Sequence, residues 1–429
     1  LPYPKGGFPF LNILIIDDML LPEKTKADSP QKRLFLRFSE ENRRRRFFLA
    51  KEFKKFGANV LLIRLSISEG ASSVSFEFCD KEEISQLFIK IPKGRKKVFL
   101  PSKKLLEFCS ALLENSPGLS GLFKPDIVIS GGVLNFGFSA GEKIAENSGA
   151  VFITEASCAF EKILKRFALC SKFSALPFLL KKSAEKAFLK SDSVLGFFPK
   201  VPSELSGAQR VFPMFLPPSF SGFEPSEEAK ILREKLSAFG EGKNFSLAFC
   251  GELEEGYSIE ELILSASSFG EKISLCFLFE GAKKPYLKRF CAEKGITNVF
   301  FFDDVPKEEI SYILSGADAV FVSEFDFSKG LFPEQENFWN ALGAQKPVIA
   351  ASEHWADFFR KAGGAIIVKP RRKDSITLGI KALLNMSETD RETLGRANLE
   401  FFEKNSIRNF AKENFSLFEN FVKQKEIKK

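Results

Sequence analysis

Residues 297–324, TNVFFFDDVPKEEISYILSGADAVFVSE, hold one complete strand, helix and strand. The apolar run from Val299 to Phe302 stops at Asp303-Asp304, and Pro306 then suits a first helical turn, where its missing N–H is not needed and its φ is already set. Ile310, Ile313 and Leu314 recur at helical spacing, Gly316 closes the helix, and Ala319–Val322 is again apolar throughout. Strands with no polar face, joined by a helix, predict parallel neighbours covered on both sides. Asp303 and Asp304 read as turn and helix-start residues rather than metal ligands.

The same alternation continues on either side. Upstream, SLAFCG (246–251) is a strand ending in glycine, SIEELILSASSFG (258–270) is a helix with Ser258 and Glu261 as a capping box, and ISLCFLFEG (273–281) is a strand. A helix with Pro285 in its first turn and Gly295 past its end follows. Downstream come a helix from about Pro333, the strand PVIAA (347–351), a helix from Ser352 to Gly363, the strand AIIV (365–368) and a helix near Asp374. The first half is rougher but similar: LNILIIDD (11–18), ANVLLIRLS (58–66), PDIVISGG (125–132), AVFITEAS (150–157) and DSVLGFF (192–198) read as five strands, with a basic helix over 39–56. The Pro-, Ser- and Gly-rich stretch FLPPSFSGFEPSEE (215–228) is the natural linker. The expected class is α/β, with two doubly wound, Rossmann-like domains facing a central cleft. Their expected bounds are 1–218 for a basic N-terminal domain and 219–400 for the C-terminal one, with 401–429 as a helical tail packing back toward the first.

A chain of 429 residues with 44% hydrophobic content can fill two cores. The seven cysteines (79, 109, 158, 170, 250, 276, 291) are odd in number and never spaced C-x-x-C, so they read as small core residues of a reducing compartment. No apolar run is long enough to span a bilayer and nothing at the start reads as a signal peptide, so the expected location is cytoplasmic. Phe is abundant (51) beside Tyr (4), which fits strand and core filling. A single histidine, His354, excludes any two-His metal site. Residues 1–200 carry 33 Lys and Arg against 21 Asp and Glu, whereas residues 201–429 carry 30 against 34, so the excess positive charge belongs to the first half. A basic half can face nucleic acid, anionic lipid or a phosphorylated substrate. No nucleic-acid-binding motif is present, so nucleic acid is not an expected partner.

Several phrases in order resemble the nucleotide-sugar-binding domain of GT-B glycosyltransferases, particularly the retaining family-4 group. They are FCGELEEGYSIEELILSAS (249–267), the 296–324 stretch, ALGAQKPVIA (341–350) and the closing DRETLGRANLEFFEKNSIRNFAKENFSLFENF (390–421), covering most of 245–420. The first half is matched more faintly, by strand placement and by Glu155 in AVFITEAS. The resemblance implies transfer of a sugar with retention from a UDP- or GDP-linked donor to a glycan or lipid-linked acceptor, with no bound metal and no further cofactor. It places the donor among Gly251, Ser323, Lys329, Gly330 and the helix start that carries Glu336 and Asn340. A helix start suits the donor diphosphate because its unpaired N–H groups and dipole point outward.

This chain departs from the family pattern in three ways. Members place two glutamates eight apart around this helix, the later one binding the donor ribose, and that position is Asn340 here; Glu336, one turn earlier on the same face, is the candidate replacement. The loop after FCG commonly carries an arginine and a lysine, although some branches lack the pair, but here reads ELEEGY, and Lys329, Lys346 or Arg371-Arg372 could supply the charge instead. The glycine pair expected after the first strand is also missing, since IIDDMLLPEK stands there.

On the other side, Glu155 and Asp18, with Gly131 and Gly132, are candidates to touch the transferred sugar or the acceptor, since they follow strand ends where ligands gather. Glu155 reads equally as an ordinary loop carboxylate or helix N-cap, and the glycines as turn residues. His354 reads as a partly exposed helix residue. The segments RRRRFFLAKEFKKF (43–56) and KILKRFALCSKFSALPFLLKKSAEKAFLK (162–190) mix Lys and Arg with Phe and Leu, as interfacial helices do. Arg43, Arg44, Lys165 and Arg166 are thus candidates for contact with an anionic membrane surface at its inner face, although a solvated helix shows the same pattern. Two further readings stay open: a non-catalytic GT-B relative that binds a glycan or a partner, and, more weakly, a nucleotide-sugar epimerase.

Overall fold

Unbroken apolar runs become buried parallel strands in both halves of the chain. The computed structural model describes residues 11–22, 43, 45–68, 75–81, 84–92, 123–131, 136–157, 188–197, 211–213, 224–241, 244–303, 305–306, 309–324 and 335–427. The chain divides into two units, Leu1–Leu216 with Ile407–Lys429, and Pro217–Ser406.

In the first unit, β1 (Asn12–Pro22), β2 (Asn59–Ser68), β3 (Ser75–Lys81), β4 (Ile84–Pro92), β5 (Ile127–Gly131), β6 (Val151–Ser157), β7 (Ser193–Phe197) and β8 (Val211–Pro213) form one sheet. Their order is β3-β4-β2-β1-β5-β6-β7-β8. Among the described residues only β3 and β4 pair antiparallel; the other neighbours are parallel. The five expected strands are β1, β2, β5, β6 and β7, while β3, β4 and β8 escaped the sequence reading. β3 alternates Phe76 and Phe78 with Glu77 and Cys79, as an edge strand does, β4 carries Gln86 and Lys90, and β8 has three residues. The basic helix occupies residues 43 and 45–55 among those described.

In the second unit, β9 (Phe245–Phe249), β10 (Ile273–Phe277), β11 (Val299–Phe301), β12 (Ala319–Ser323), β13 (Val348–Ala351) and β14 (Ala365–Val368) form an all-parallel sheet in the order β11-β10-β9-β12-β13-β14. Helices follow the strands as the caps predicted: Lys284–Glu293 has Pro in its first turn, and Gly295 beyond it takes φ +65°. Phenylalanine fills this core. Phe249 lies 5.3 Å from Phe277 and 6.2 Å from Phe321, and Phe277 stacks on Phe301 at 5.1 Å. Cys250, Cys276 and Cys291 are buried as expected, and burial pushes the Cys276 thiol up to about 12; Cys79, by contrast, is exposed on the edge strand. Among the described residues no helix is long and apolar enough to cross a membrane.

The closing helices part company. Glu388–Lys404 stays with the second unit, where Asn398 Nδ2 donates to Lys346 O and Gly364 O, both at 2.9 Å. Ile407–Ile427 belongs to the first unit, burying Ile407, Ala411, Phe418 and Phe421 in a core with Leu49, Phe53, Ile127 and Ile153. Lys425 Nζ donates to Ala150 O at 2.7 Å and to Asp192 Oδ2 at 2.9 Å. Phe418 is fully buried, with its ring 5.7 Å from that of Phe53. Phe418→Ala should lower the stability of the first unit by about 3–5 kcal/mol, the usual cost of emptying a buried phenylalanine site. Chemical denaturation checks this, and an unchanged midpoint would mean that the helix is not part of that core.

Candidate functional site

Each sheet reverses its direction of growth once. The first grows from β1 toward β2 and β4, then from β5 outward on the other side; the second grows from β9 toward β11, then from β12 outward. At such a reversal the crossover connections leave to opposite faces, which opens a crevice beyond the carboxyl ends of the two central strands. The candidate residues fall at those two places: Asp17 and Gly131 between β1 and β5, and Gly251 and Ser323 just beyond β9 and at the end of β12.

At the first place the register runs Asp17 to Gly131 to Glu155, and Asp17 to Arg64 on the other side. Arg46, from the basic helix, reaches into this row. Its Nε and Nη2 each lie 2.6 Å from Glu155 Oε2, and its Nη1 donates to Asp17 Oδ1 at 2.5 Å. Arg46, Asp17 and Glu155 are 3%, 0% and 4% exposed. Gly131 makes the bridge possible, because a Cβ there would lie 2.4 Å from Glu155 Cβ and 2.9 Å from Arg46 Nη2. Arg43 Nε stands 3.6 Å from Asp17 Oδ2, and the Arg64 guanidinium lies 5.4 Å from the Phe47 ring centroid. Burial pulls the Arg64 pKa below its usual range, with Asp17 opposing the shift and Arg43 adding to it. Glu155 Oε1 is buried and makes no hydrogen bond among the described residues. The row thus turns the basic helix inward at its start: Arg43, expected on a membrane face, is one-fifth exposed and directed to Asp17. The Asp18 side chain and Gly132, Arg44, Lys165 and Arg166 lie outside the described residues.

At the second place, Ser323 Oγ accepts from Ser258 N and lies beside Ser258 Oγ, both at 3.1 Å. Ser258 does not form the expected capping box, for its side chain makes no cap bond to the 259–267 helix. Its Oγ accepts instead from Arg371 N at 2.9 Å, which brings the loop after β14 to the end of β12. Arg371 sits there at φ +56°, and Arg371 and Arg372 are both exposed. Gly251 packs against Phe249, and a Cβ on it would lie 2.9 Å from Phe249 Cζ and 3.7 Å from Asn337 Nδ2. Cys250 Sγ donates to Asn337 O at 3.3 Å, so the first turn of the helix Gln335–Gly343 lies against the end of β9. Asn337 is a residue that the sequence did not single out.

The other donor-side candidates divide. Glu336 is half-buried, whereas Asn340 is 3% exposed and its Oδ1 accepts from Ser311 Oγ at 3.3 Å. Within the acidic loop, Leu253 is fully buried and exchanges backbone bonds with Glu280 and Lys283, and Glu254 Oε1 accepts from Ala282 N at 3.1 Å. Part of that acidity thus fastens one loop to the next. Lys346 is overturned as a source of charge for the donor. It precedes β13, at the amino edge of the sheet, where burial lowers its pKa while Asp318 opposes and Arg233 adds to the shift. Lys329 and Gly330 lie outside the described residues. Glu324, directly after β12, was not singled out in sequence, yet it is fully buried and accepts from Ser352 Oγ and the backbone N–H groups of Glu353 and His354. Among the described residues no group of three or more His, Cys, Asp or Glu is placed to hold a metal ion.

No protein-family model matches the chain, and no curated protein does. Solved structures do. A trehalose-6-phosphate structure from E. coli bound with UDP-2-fluoro glucose aligns over 95% of this chain and 98% of its own, with a TM-score of 0.57 and 12% identity. An alpha,alpha-trehalose 6-phosphate synthase from Burkholderia multivorans aligns over 98% of both chains, with a TM-score of 0.59 and 9% identity. A glycosyltransferase from Rickettsia africae covers 97% of this chain and all of its own, with a TM-score of 0.61 and 12% identity. At such identities the likeness shows the fold, which is GT-B.

The row at the first switch point has a direct test. Arg46→Met would leave Asp17 and Glu155 buried beside one another without the cation that joins them, and removing one partner of a buried pair costs about 3–5 kcal/mol. The melting temperature should fall accordingly and recover in part when Asp17→Asn and Glu155→Gln are added. A variant as stable as the parent would show that the bridge is dispensable.

Proposed function

We propose that the chain is a retaining glycosyltransferase that moves a sugar from a nucleotide donor to a glycan or lipid-linked acceptor. The observation that carries this reading is the convergence of Gly251, Ser258, Ser323 and the Arg371-Arg372 loop at one switch point of a GT-B fold. A departing diphosphate needs cations or N–H dipoles to stabilise the charge that develops on it. Arg371 and Arg372 supply cations where the family's arginine and lysine are missing from the loop after β9. Gly251 lets the donor approach the backbone, and Lys329 and Gly330 keep the diphosphate-side role implied by the resemblance.

Glu336 is assigned to the donor ribose, where one carboxylate can accept from two hydroxyls. Asn340 is the weaker candidate because Ser311 already engages its amide oxygen. On the first unit, Glu155 offers Oε1 to an acceptor hydroxyl while Arg46 holds Oε2, and Asp18 and Gly132 stay with it as acceptor-side candidates. The work would be done at the inner face of the cytoplasmic membrane, with Arg44, Lys165 and Arg166 as the basic contacts. UDP is the first nucleotide to try, since the E. coli structure of the same fold binds UDP-2-fluoro glucose. The alternative, a non-catalytic relative that binds a glycan or a partner, is favoured by one observation: where a ribose-binding glutamate is expected, Asn340 stands and is bonded within the unit.

Calorimetry against UDP, GDP and their common sugars separates the two. Saturable micromolar binding of one nucleotide is expected, and silence across the panel would favour the binding subunit. Glu336→Ala should abolish donor binding, and unchanged affinity would remove its ribose role. Arg371→Ala with Arg372→Ala should weaken the nucleoside diphosphate by about tenfold to a hundredfold, the range for losing charge-assisted hydrogen bonds.

A further inference from the structure

We propose that Arg64 binds a singly charged anionic group on the acceptor, a carboxylate or a phosphodiester. This rests on the glycosyltransferase reading and adds to it the charge class of the acceptor. Arg64 lies on β2 in the row at the first switch point, where it pairs in register with Asp17 on one side and Phe88 on the other. It is half-buried, and its guanidinium lies over the rings of Phe47 and Phe88, 5.4 Å and 6.0 Å from their centroids. Among the described residues it makes no hydrogen bond and no ion pair. Its Nε is sealed from solvent without a partner, whereas the two Nη groups are not sealed. An aromatic ring holds a cation without using its N–H groups, so the donors of the guanidinium remain for another partner.

Arg64 differs in this from its two neighbours. Arg46 donates to Asp17 Oδ1 and to Glu155 Oε2, and Arg43 Nε stands 3.6 Å from Asp17 Oδ2. Both carboxylates of the row are therefore engaged by other arginines. Three guanidinium groups against two carboxylates leave one positive charge unmatched, and Arg64 is the arginine to which no carboxylate is bonded. A half-buried cation without a counter-ion is costly, and an anionic ligand recovers that cost. The two Nη groups form a fork that meets two oxygens of one group at once, as a carboxylate or a phosphodiester presents them. One negative charge completes the row; the second charge of a phosphate monoester would stand unmatched near Asp17 and Glu155. Arg64 and Glu155 are three strand spacings apart, about 14 Å at the backbone. The anion and the hydroxyl that reaches Glu155 thus belong to separate points of the acceptor.

Calorimetry on the full chain tests this with four probes, added alone and after whichever nucleotide binds. Glucuronate carries a carboxylate, glycerophosphoglycerol carries the phosphodiester of an anionic lipid headgroup, glucose is neutral, and glucose 6-phosphate carries a second charge. Glucuronate or glycerophosphoglycerol should bind, and which of them does so tells an acidic glycan from a lipid headgroup. Glucose and glucose 6-phosphate should bind more weakly. Arg64→Met should bind the preferred probe roughly tenfold to a hundredfold more weakly, the range for losing charge-assisted hydrogen bonds. Its melting temperature should stay near the parent's, unlike that of Arg46→Met, because methionine still packs against the two rings and no carboxylate loses a bonded partner. Arg64→Gln, which keeps a polar end without the charge, should show the same loss. The proposal is overturned if neither anionic probe binds, if glucose or glucose 6-phosphate binds as tightly as they do, or if both variants bind as the parent does. A marked fall in melting temperature in both variants would also overturn it, since Arg64 would then serve the fold. UDP and GDP on the same sample judge the glycosyltransferase reading separately. A nucleotide bound beside a silent anion panel leaves that reading standing without the proposal, and an Arg64-dependent anion bound with no nucleotide keeps the anion site while its acceptor role falls.

Discussion

Parallel strands cannot be joined by tight turns, and that constraint governs both units of this protein. Each strand must be followed by a crossover, usually a helix, before the next strand can start at the same edge. The carboxyl ends of the parallel strands of a sheet therefore lie along one edge, and wherever the order of strands reverses, two of those ends diverge without a connection across them. Asp17, Gly131 and Glu155 stand along the carboxyl edge of the first sheet around one reversal, and Gly251, Ser323 and Glu324 around the other. Their closeness is a consequence of winding, since the residues at the second reversal come from points more than seventy positions apart in the chain.

The two edges use charge differently. At the first, three arginines surround two carboxylates, and the central guanidinium of Arg46 binds both of them inside the protein. Such a network is costly to desolvate and rigid once formed, because each partner is needed by the other. Gly131 is the steric condition for it, as any side chain there would occupy the space of Arg46 and Glu155. At the second edge the linking groups are small and mostly neutral: serine hydroxyls, backbone N–H groups and the Asn337 carbonyl. The exposed cations of that edge, Arg371 and Arg372, belong to a loop brought in by a backbone N–H rather than by their own charge.

The abundance of phenylalanine has a physical counterpart in the cores. In the second unit Phe249, Phe277, Phe301 and Phe321 meet across four adjacent strands, and Trp339 stacks on Phe401 at 5.7 Å where the helix Glu388–Lys404 docks. Flat rings in offset or tilted contact bury large areas with little side-chain entropy to lose. The last helix repeats the pattern in the first unit, where Phe418 joins Phe53 and Phe415 approaches Phe56.

What the sequence by itself determined is what local chemistry controls. Apolar runs, helical spacing and the Pro and Gly boundaries placed every strand of the second unit and five strands of the first, and with them the α/β class, because periodicity and backbone preference act over neighbouring residues. The tertiary structure decided how polar groups were used. Ser258 reads as a cap from its neighbours but serves Arg371, over a hundred residues away. Lys346 looks close to the donor along the chain but lies at the opposite edge of the sheet, Arg43 looks like a surface cation but faces a buried carboxylate, and Glu324 gives no local sign of holding His354. The edge strand β3 and its neighbour β4 escaped for the related reason that a strand interrupted by polar residues owes its place to its partners rather than to its own pattern. A side chain's hydrogen-bond partner depends on which distant segments the winding brings together, and that is settled only when the sheet has closed its order.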